Sequence, residues 1–159
     1  MPLPNDPPVD TRSITAYNLT PAADSVALSI KAPTDKDLVV TAIRVHCPTA
    51  EIIEIVRFLS TTFTAHASAA AVTPVAYSEA DDDAETAVVQ KHTTNPTTIT
   101  GTERILDKQR VAAAGSYVWD SSHKWMRGRH LRKNTTDYLF IRARTGGNPL
   151  DISVEYVRV

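Results

Sequence analysis

TDYLFIRARTGGNPLDISVEYVRV, residues 136–159, decides the fold. Two alternating runs, 137–144 and 150–159, flank the spacer TGGNP at 145–149. In the first run Leu139, Ile141 and Ala143 fall on one parity, and Tyr138, Phe140, Arg142 and Arg144 on the other. In the second, Leu150, Ile152, Val154 and Tyr156 share a face opposite Asp151, Ser153, Glu155 and Val157. A period of two means strands with one buried face. The Gly-Gly-Asn spacer predicts that the two runs pair as an antiparallel hairpin. The chain ends on strand-forming residues, so its last residues are expected to be held in a sheet.

The same period recurs upstream. Residues 24–32 alternate, with Val26, Leu28 and Ile30 against Ala27, Ser29 and Lys31. Residues 12–19 set Ile14, Ala16 and Asn18 against Ser13, Thr15, Tyr17 and Leu19. Residues 38–47 place Val39, Ile43, Val45 and Cys47 on one face, and Pro48 stops the run. Residues 51–65 fit two templates. Ile52, Ile53, Val56 and Leu59 make a helical face; Ile53, Ile55, Leu59, Thr61 and Phe63 make a strand parity broken by Arg57. The run Thr61, Thr62, Phe63 and Thr64 favours strand, because β-branched side chains lose χ1 freedom in a helix. Short strands are expected near 72–77, 86–92, 97–106, 117–119 and 129–133. Residues 107–115 have the composition of a short helix ended by Gly115. Eight to ten short strands separated by turn signals indicate an all-β, antiparallel two-sheet sandwich of jelly-roll type. Residues 12–159 form this single domain. Residues 1–11 carry Pro2, Pro4, Pro7 and Pro8, and proline fixes φ and removes a donor, so they read as an extended arm.

Composition narrows the function. At 159 residues the chain can bury roughly 70% of its unfolded surface without covalent staples. Its one cysteine, Cys47, excludes an intrachain disulfide framework and reads as a small buried apolar residue. No long apolar segment suggests a membrane helix, and the N-terminal residues lack the basic and apolar regions of a secretion signal. The net charge of −1 hides a split. Residues 1–100 hold 6 Lys/Arg against 12 Asp/Glu, whereas residues 101–159 hold 11 against 6. Folding either presents this split as a polarised surface or mixes the halves by interleaving distant strands.

Few constellations carry chemistry. Asp81-Asp-Asp-Ala-Glu85 offers carboxylates but lacks the spacing and central glycine of an EF-hand, so it reads as a solvated acidic loop. His46, His66, His92, His123 and His130 are scattered, and no second cysteine exists to build a zinc site. There is no Gly-x-Ser-x-Gly elbow and no phosphate-cradling glycine loop. The reading is a non-enzyme without cofactor or metal. The sharpest local feature is 117–133, where Trp119 and Trp125 are interleaved with Lys124, Arg127, Arg129, Arg132 and Lys133. Tryptophan and arginine of this kind suit a protein interface or a single-stranded nucleic-acid groove, and as a plain end-cap they would do neither. The near-neutral total charge argues against a dedicated nucleic-acid binder.

Taken together, the proline-rich arm, the pattern Asp37-Leu-Val-Val-Thr-Ala-Ile-Arg-Val-His46 and the terminal runs 136–144 and 150–159 resemble the small jelly-roll virion proteins of tailed bacteriophages that decorate or cement the outer capsid. The alanine- and threonine-rich, glycine-poor composition is similar too. The resemblance is architectural and rests on no signature motif, so no residue role transfers with it. It implies no catalysis, a homo-oligomer that is often three-fold, a capsid protein as partner, and a place on the virion surface after synthesis in the host cytoplasm. The expected contact residues are Pro2, Pro4, Pro7, Pro8, Trp119, Trp125, Arg127 and Arg129. The alternative is a carbohydrate- or host-surface-binding sandwich that stacks sugars on Tyr117, Trp119 and Trp125.

Overall fold

The computed structural model describes residues 10–77, 87–120 and 129–159. They form strands β1 (Thr11–Leu19), β2 (Ser25–Lys31), β3 (Leu38–Cys47), β4 (Glu51–Thr64), β5 (Ala70–Ala71), β6 (Val75–Ala76), β7 (Val88–Lys91), β8 (Thr98–Val111), β9 (Gly115–Asp120), β10 (His130–Leu131), β11 (Tyr138–Ala143) and β12 (Leu150–Arg158). No helix occurs among the described residues. One sheet runs β10-β3-β12-β1-β6, with β9 also on β3; the other runs β5-β7-β2-β11-β4-β8. Every pairing is antiparallel. The long strands switch sheets at each step along the chain except between β4 and β8, which pair within one sheet. They pair as nested couples, β1 with β12, β2 with β11, β3 with β9 and β4 with β8. This is the rolled-up arrangement of a jelly roll, as the alternation predicts.

The stretch that decides the fold does so in a different way from the one expected. Its two runs become β11 and β12, but they lie in opposite sheets and do not pair with each other. The spacer is an arch over the end of the sandwich, not a hairpin turn. Its partners come from elsewhere. The Glu51 carboxylate accepts N–H bonds from Thr145 and Gly146 at 2.7 and 3.0 Å, and the Gly147 N–H donates to the Pro21 carbonyl at 2.7 Å. Glu51 itself is buried. Burial opposes its ionisation, but the N–H bonds from Thr145, Ile52 and Gly146 outweigh this and hold its carboxyl below the ordinary value. β12 sits in mid-sheet between β1 and β3, so the chain end is held as expected.

Between the sheets lies the main core. Leu139, Ile141 and Ala143 on β11 meet Leu150, Ile152, Val154 and Tyr156 on β12, with Leu28, Ile30, Ile43, Val45, Ile53 and Ile55 around them. Cys47 is fully buried there, and burial and then the nearby Glu51 charge push its thiol up to about 11. Three bulges correct the parities read from sequence. Asn18 adopts φ 52°, a left-handed conformation that asparagine tolerates, and this turns Leu19 into the core beside Ile14 and Ala16. A shift opposite Glu155 and Tyr156 buries Leu38 and Val40 where Val39 was expected. A third, between Leu28 and Val26, sends Val26 to the outside of its sheet.

That outside carries a second core. The far ends of β4 and β8 bring Phe63 against Tyr138, Phe140 and His92, with ring centroids 4.7, 5.4 and 5.8 Å apart, and Val26, Val56, Phe58 and Ile99 complete the cluster. β4 is therefore buried on both faces, which explains its double reading: one apolar face on each side mimics a helical stripe. Residues 107–115 are not helical. β8 continues to Val111 on the β4 ladder, Ala112–Ala114 turn, and Gly115 begins β9. The expected helix has no apolar stripe to bury, and the edge of β4 needs a partner; pairing overrides propensity. Of the residues read as an arm, 1–9 lie outside the described residues, whereas Thr11 opens β1 and the Asp10 carboxylate bonds Arg12 and Arg158, so these two belong to the sandwich.

Charged side chains distant in sequence meet across the strands. Glu54, 1% exposed, accepts from Arg142 at 2.8 Å and from Lys108 at 2.9 Å. Arg57 meets Asp137 at 2.9 Å, Arg44 meets Glu155 at 2.7 Å, and Arg158 meets Asp10. Each pair joins the acidic and basic parts of the sequence or crosses a nested couple.

Two predictions follow from this architecture. At Gly146 (φ 70°) an added Cβ would fall 2.1 Å from the Ala23 nitrogen, whereas at Gly147 (φ 72°) nothing lies within 4 Å. Gly147→Ala should cost about 1–2 kcal/mol, the left-handed penalty alone. Gly146→Ala should cost about 3 kcal/mol or more by adding a clash with backbone, both read by chemical denaturation. Equal losses would contradict the arch geometry. Separately, burial holds His92 down to about 4, with its Nε2 2.9 Å from Ser29 Oγ. Its folded value lies below its unfolded one of about 6.5, so the stability it supports is complete above pH 6.5 and is lost as the pH falls toward 4. The loss should reach about 3 kcal/mol. His92→Gln should flatten the stability profile between pH 6.5 and 4.5, leaving only the carboxylate-driven fall below; an unchanged slope would refute this.

Candidate functional site

The two sheets present unequal outer faces. That of β2, β11 and β4 is covered by the Phe63 cluster and the Glu54 network. That of β1, β12, β3 and β9 is open among the described residues. Ser13, Thr15 and Tyr17 project from it, because Ile14 and Ala16 point into the core. Arg44, His46, Ser116, Val118, Asp151 and Ser153 continue it, and with Thr15 and Tyr17 they line a shallow groove of about 460 Å³. Tyr17 is 72% exposed. Val75 on the edge strand β6 stands opposite Ser13 and so shares this face, 64% exposed, and Tyr77 follows it, with its N–H on the Thr11 carbonyl. Arg44 is oriented by Glu155, and His46 Nδ1 lies 3.4 Å from Ser116 Oγ.

A second concavity opens at the opposite edge, where the two sheets part. It is about 500 Å³ in volume and is lined by Arg57 and Leu59 of β4, Arg104 and Leu106 of β8, His130 of β10, and Arg132, Thr135 and Asp137 beyond it. Arg57 stands directly opposite Arg104 in the ladder. Like charges in that position repel, and Asp137 pairs with Arg57. Asp37 fixes the third wall. Its carboxylate accepts from the Lys133 N–H at 2.7 Å and lies 2.7 Å from His130 Nε2. The Lys133 bond, the largest cause, holds its carboxyl below the ordinary value against the opposing effect of burial, and His130 adds to the lowering.

The contact residues expected from sequence fare unevenly. Trp119 is 1% exposed and belongs to the core, so it is no surface contact. Its place on β9 opposite Ile43 points it between the sheets. Tyr117 is buried as well, its hydroxyl donating to Asp107 Oδ2 at 2.7 Å, and burial followed by the Asp107 contact raises it above the ordinary tyrosine value. Neither ring can form a sugar-stacking platform. Arg129 is partly buried beside β3, where its carbonyl accepts from the Val40 N–H. Pro2, Pro4, Pro7, Pro8, Trp125 and Arg127 lie outside the described residues, as does the acidic run 81–85. Sequence reasoning missed Tyr17 and the Arg57–Arg104–Arg132 groove. The signal was present for two of them: Arg57 interrupts an apolar parity, and Tyr17 opposes one. Among the described residues no three His, Cys, Asp or Glu side chains are placed to hold a metal ion.

No protein-family model, curated protein or solved structure matches this chain.

The burial of Trp119 has a measurable consequence. Trp119→Ala should destabilise the fold by about 3–5 kcal/mol, the range for emptying a core aromatic site. A loss within about 0.5 kcal/mol in denaturant titration, as at an ordinary surface position, would return this residue to the surface.

Proposed function

We propose that this protein is a non-enzymatic structural component of a virion that decorates or cements a bacteriophage capsid through protein–protein contacts. The observation that carries the reading is the contrast between the two outer faces. One is sealed by its own aromatic cluster; the other exposes Tyr17, Val75 and Val118 beside Arg44 and His46. Tyrosine and arginine set among small polar residues on a rigid sheet are what a protein interface uses, because they supply large contact area at little conformational cost. A rigid sandwich laid across a seam between capsid subunits adds buried area where the shell is under pressure. Several linked copies would hold by avidity, each later contact being effectively intramolecular. Residues 1–9, with four prolines, supply an arm that gains contacts when it docks, at an entropic cost.

A second reading draws on the same face. Tyr17 above Asp151, Ser153 and His46 is an aromatic ring beside hydrogen-bonding groups in a shallow groove, an arrangement that also suits a sugar ring.

The test is a Tyr17→Ala/Val75→Ser double variant. It should keep its melting temperature, since both side chains are exposed, and lose capsid binding by about 10-fold or more in a co-sedimentation assay. Removing residues 1–9 should weaken docking in the same way. Capsid binding that survives both changes would overturn the proposal. Tyr17-dependent binding on a glycan array without capsid binding would select the sugar reading.

A further inference from the structure

We propose that the concavity where the two sheets part is a binding site for a phosphate group, free or as the monoester of a small molecule. The site goes beyond the reading above and is independent of it, because the open sheet face takes no part. It begins with a charged residue on the inner side of a strand. Along β4, Ile53 and Ile55 are buried in the main core, whereas Val56 and Phe58 pack in the outer aromatic cluster. Arg57 shares the parity of Ile53 and Ile55 and stands opposite Leu139, another core residue, so its stem points between the sheets. Its side chain is 16% exposed. A charge held there is costly unless it is compensated, and Asp137 supplies one carboxylate at 2.9 Å.

The neighbouring groups add charge of the same sign. Arg104 is directly opposite Arg57 in the β4–β8 ladder and projects from the same side of the sheet. His130 of β10 and Arg132 beyond it close the concavity from the other sheet. Among the described residues neither Arg104 nor Arg132 takes part in an ion pair. Asp137 is the one carboxylate in the lining, so three arginines leave an excess of two positive charges, not counting His130. Two of the three stand face to face, which is destabilising by itself. An anion between them would relieve that repulsion.

These features select the chemistry of the ligand. A phosphate monoester carries a charge of about −1.5 to −2 at neutral pH, which matches the excess. A single carboxylate would leave one arginine uncompensated. The planar guanidinium presents paired donors that fit phosphate oxygens bidentately. The concavity, about 500 Å³, has the size of a small-molecule site. Leu59 and Leu106 make part of its lining apolar, and the body of an ester can rest on them. Free phosphate would use the arginines, and an organic ester would use the leucines as well. No tyrosine, tryptophan or phenylalanine lines the concavity among the described residues, so a nucleic-acid base has no stacking platform there.

The experiment titrates the full chain by calorimetry at constant ionic strength, with inorganic phosphate and phenyl phosphate as probes and chloride as the control for screening. Both phosphates should saturate one site per chain, and chloride should not. Phenyl phosphate binding several-fold more tightly would assign the site to an organic ester, and equal affinities to the free ion. Arg104→Gln and Arg132→Gln should each weaken binding by about 10-fold or more, the loss expected for a hydrogen bond between charged groups. Both should keep the wild-type melting curve, since these side chains are exposed. Arg110→Gln, exposed on the same strand as Arg104 but outside the concavity, should leave the affinity unchanged. No saturable binding at millimolar phosphate, or an equal loss in Arg110→Gln, would overturn the proposal. Asp81→Asn/Asp82→Asn/Asp83→Asn should also leave the affinity unchanged; a rise of about 10-fold would assign the groove to the chain's own carboxylates and overturn it as well.

Discussion

Each long strand from the first part of the chain is hydrogen-bonded to one from the last part, and the rest of the molecule depends on this constraint. It makes β12 a central strand and makes the first acidic residues neighbours of the last basic ones. The Asp10–Arg158 contact joins residues 148 apart in sequence, and Glu54 binds Arg142 across 88. Charges distant along the sequence thus become neighbours across the ladder. An unpaired buried carboxylate such as Glu54 would be costly in a low-dielectric site. The three basic side chains within reach of it (Arg142, Lys108 and Arg144) offset that cost. What remains uncompensated at the surface is correspondingly informative, because the fold has already used most of the rest.

The architecture was legible in the sequence because one sheet face after another is buried, and burial on one face writes a period of two. It ceased to be legible where that premise failed. β4 is buried on both faces, so Ile52 and Val56 belong to a different surface from Ile53 and Ile55, and the composite pattern resembles a helix. At Asn18 and opposite Tyr156 a bulge moves the buried set to the other parity, and a bulge is set by pairing with a distant strand. The Gly146–Gly147 turn was read as a hairpin because spacer composition reports backbone conformation alone. Whether the following strand pairs with its predecessor or crosses to the opposite sheet is decided by Glu51 and Pro21, far away in the sequence. Within the aromatic and basic cluster 117–133, Tyr117 and Trp119 were misread for a related reason. Trp119 and Arg129 are close in sequence, but β9 turns Trp119 inward. Arg57 was visible only as an exception, and exceptions acquire meaning only when the strands that bring Arg104 and Arg132 beside them are known.

Topology also determines how the molecule can meet others without uncontrolled association. A sandwich leaves edge strands with unpaired backbone groups, a standing hazard for strand-on-strand growth. Here β8, the long edge of one sheet, carries Glu103, Arg104, Lys108 and Arg110 in exposed positions, and among the described residues the other edges are the two-residue strands β5, β6 and β10 and the six-residue β9. Charge on β8 and brevity on β5, β6 and β10 discourage backbone pairing at those edges. Charged edges do not discourage contact as such, because they admit a partner whose charges are opposite and correctly placed. The arginines that keep β8 from pairing with any passing strand leave it accessible to a partner of opposite charge.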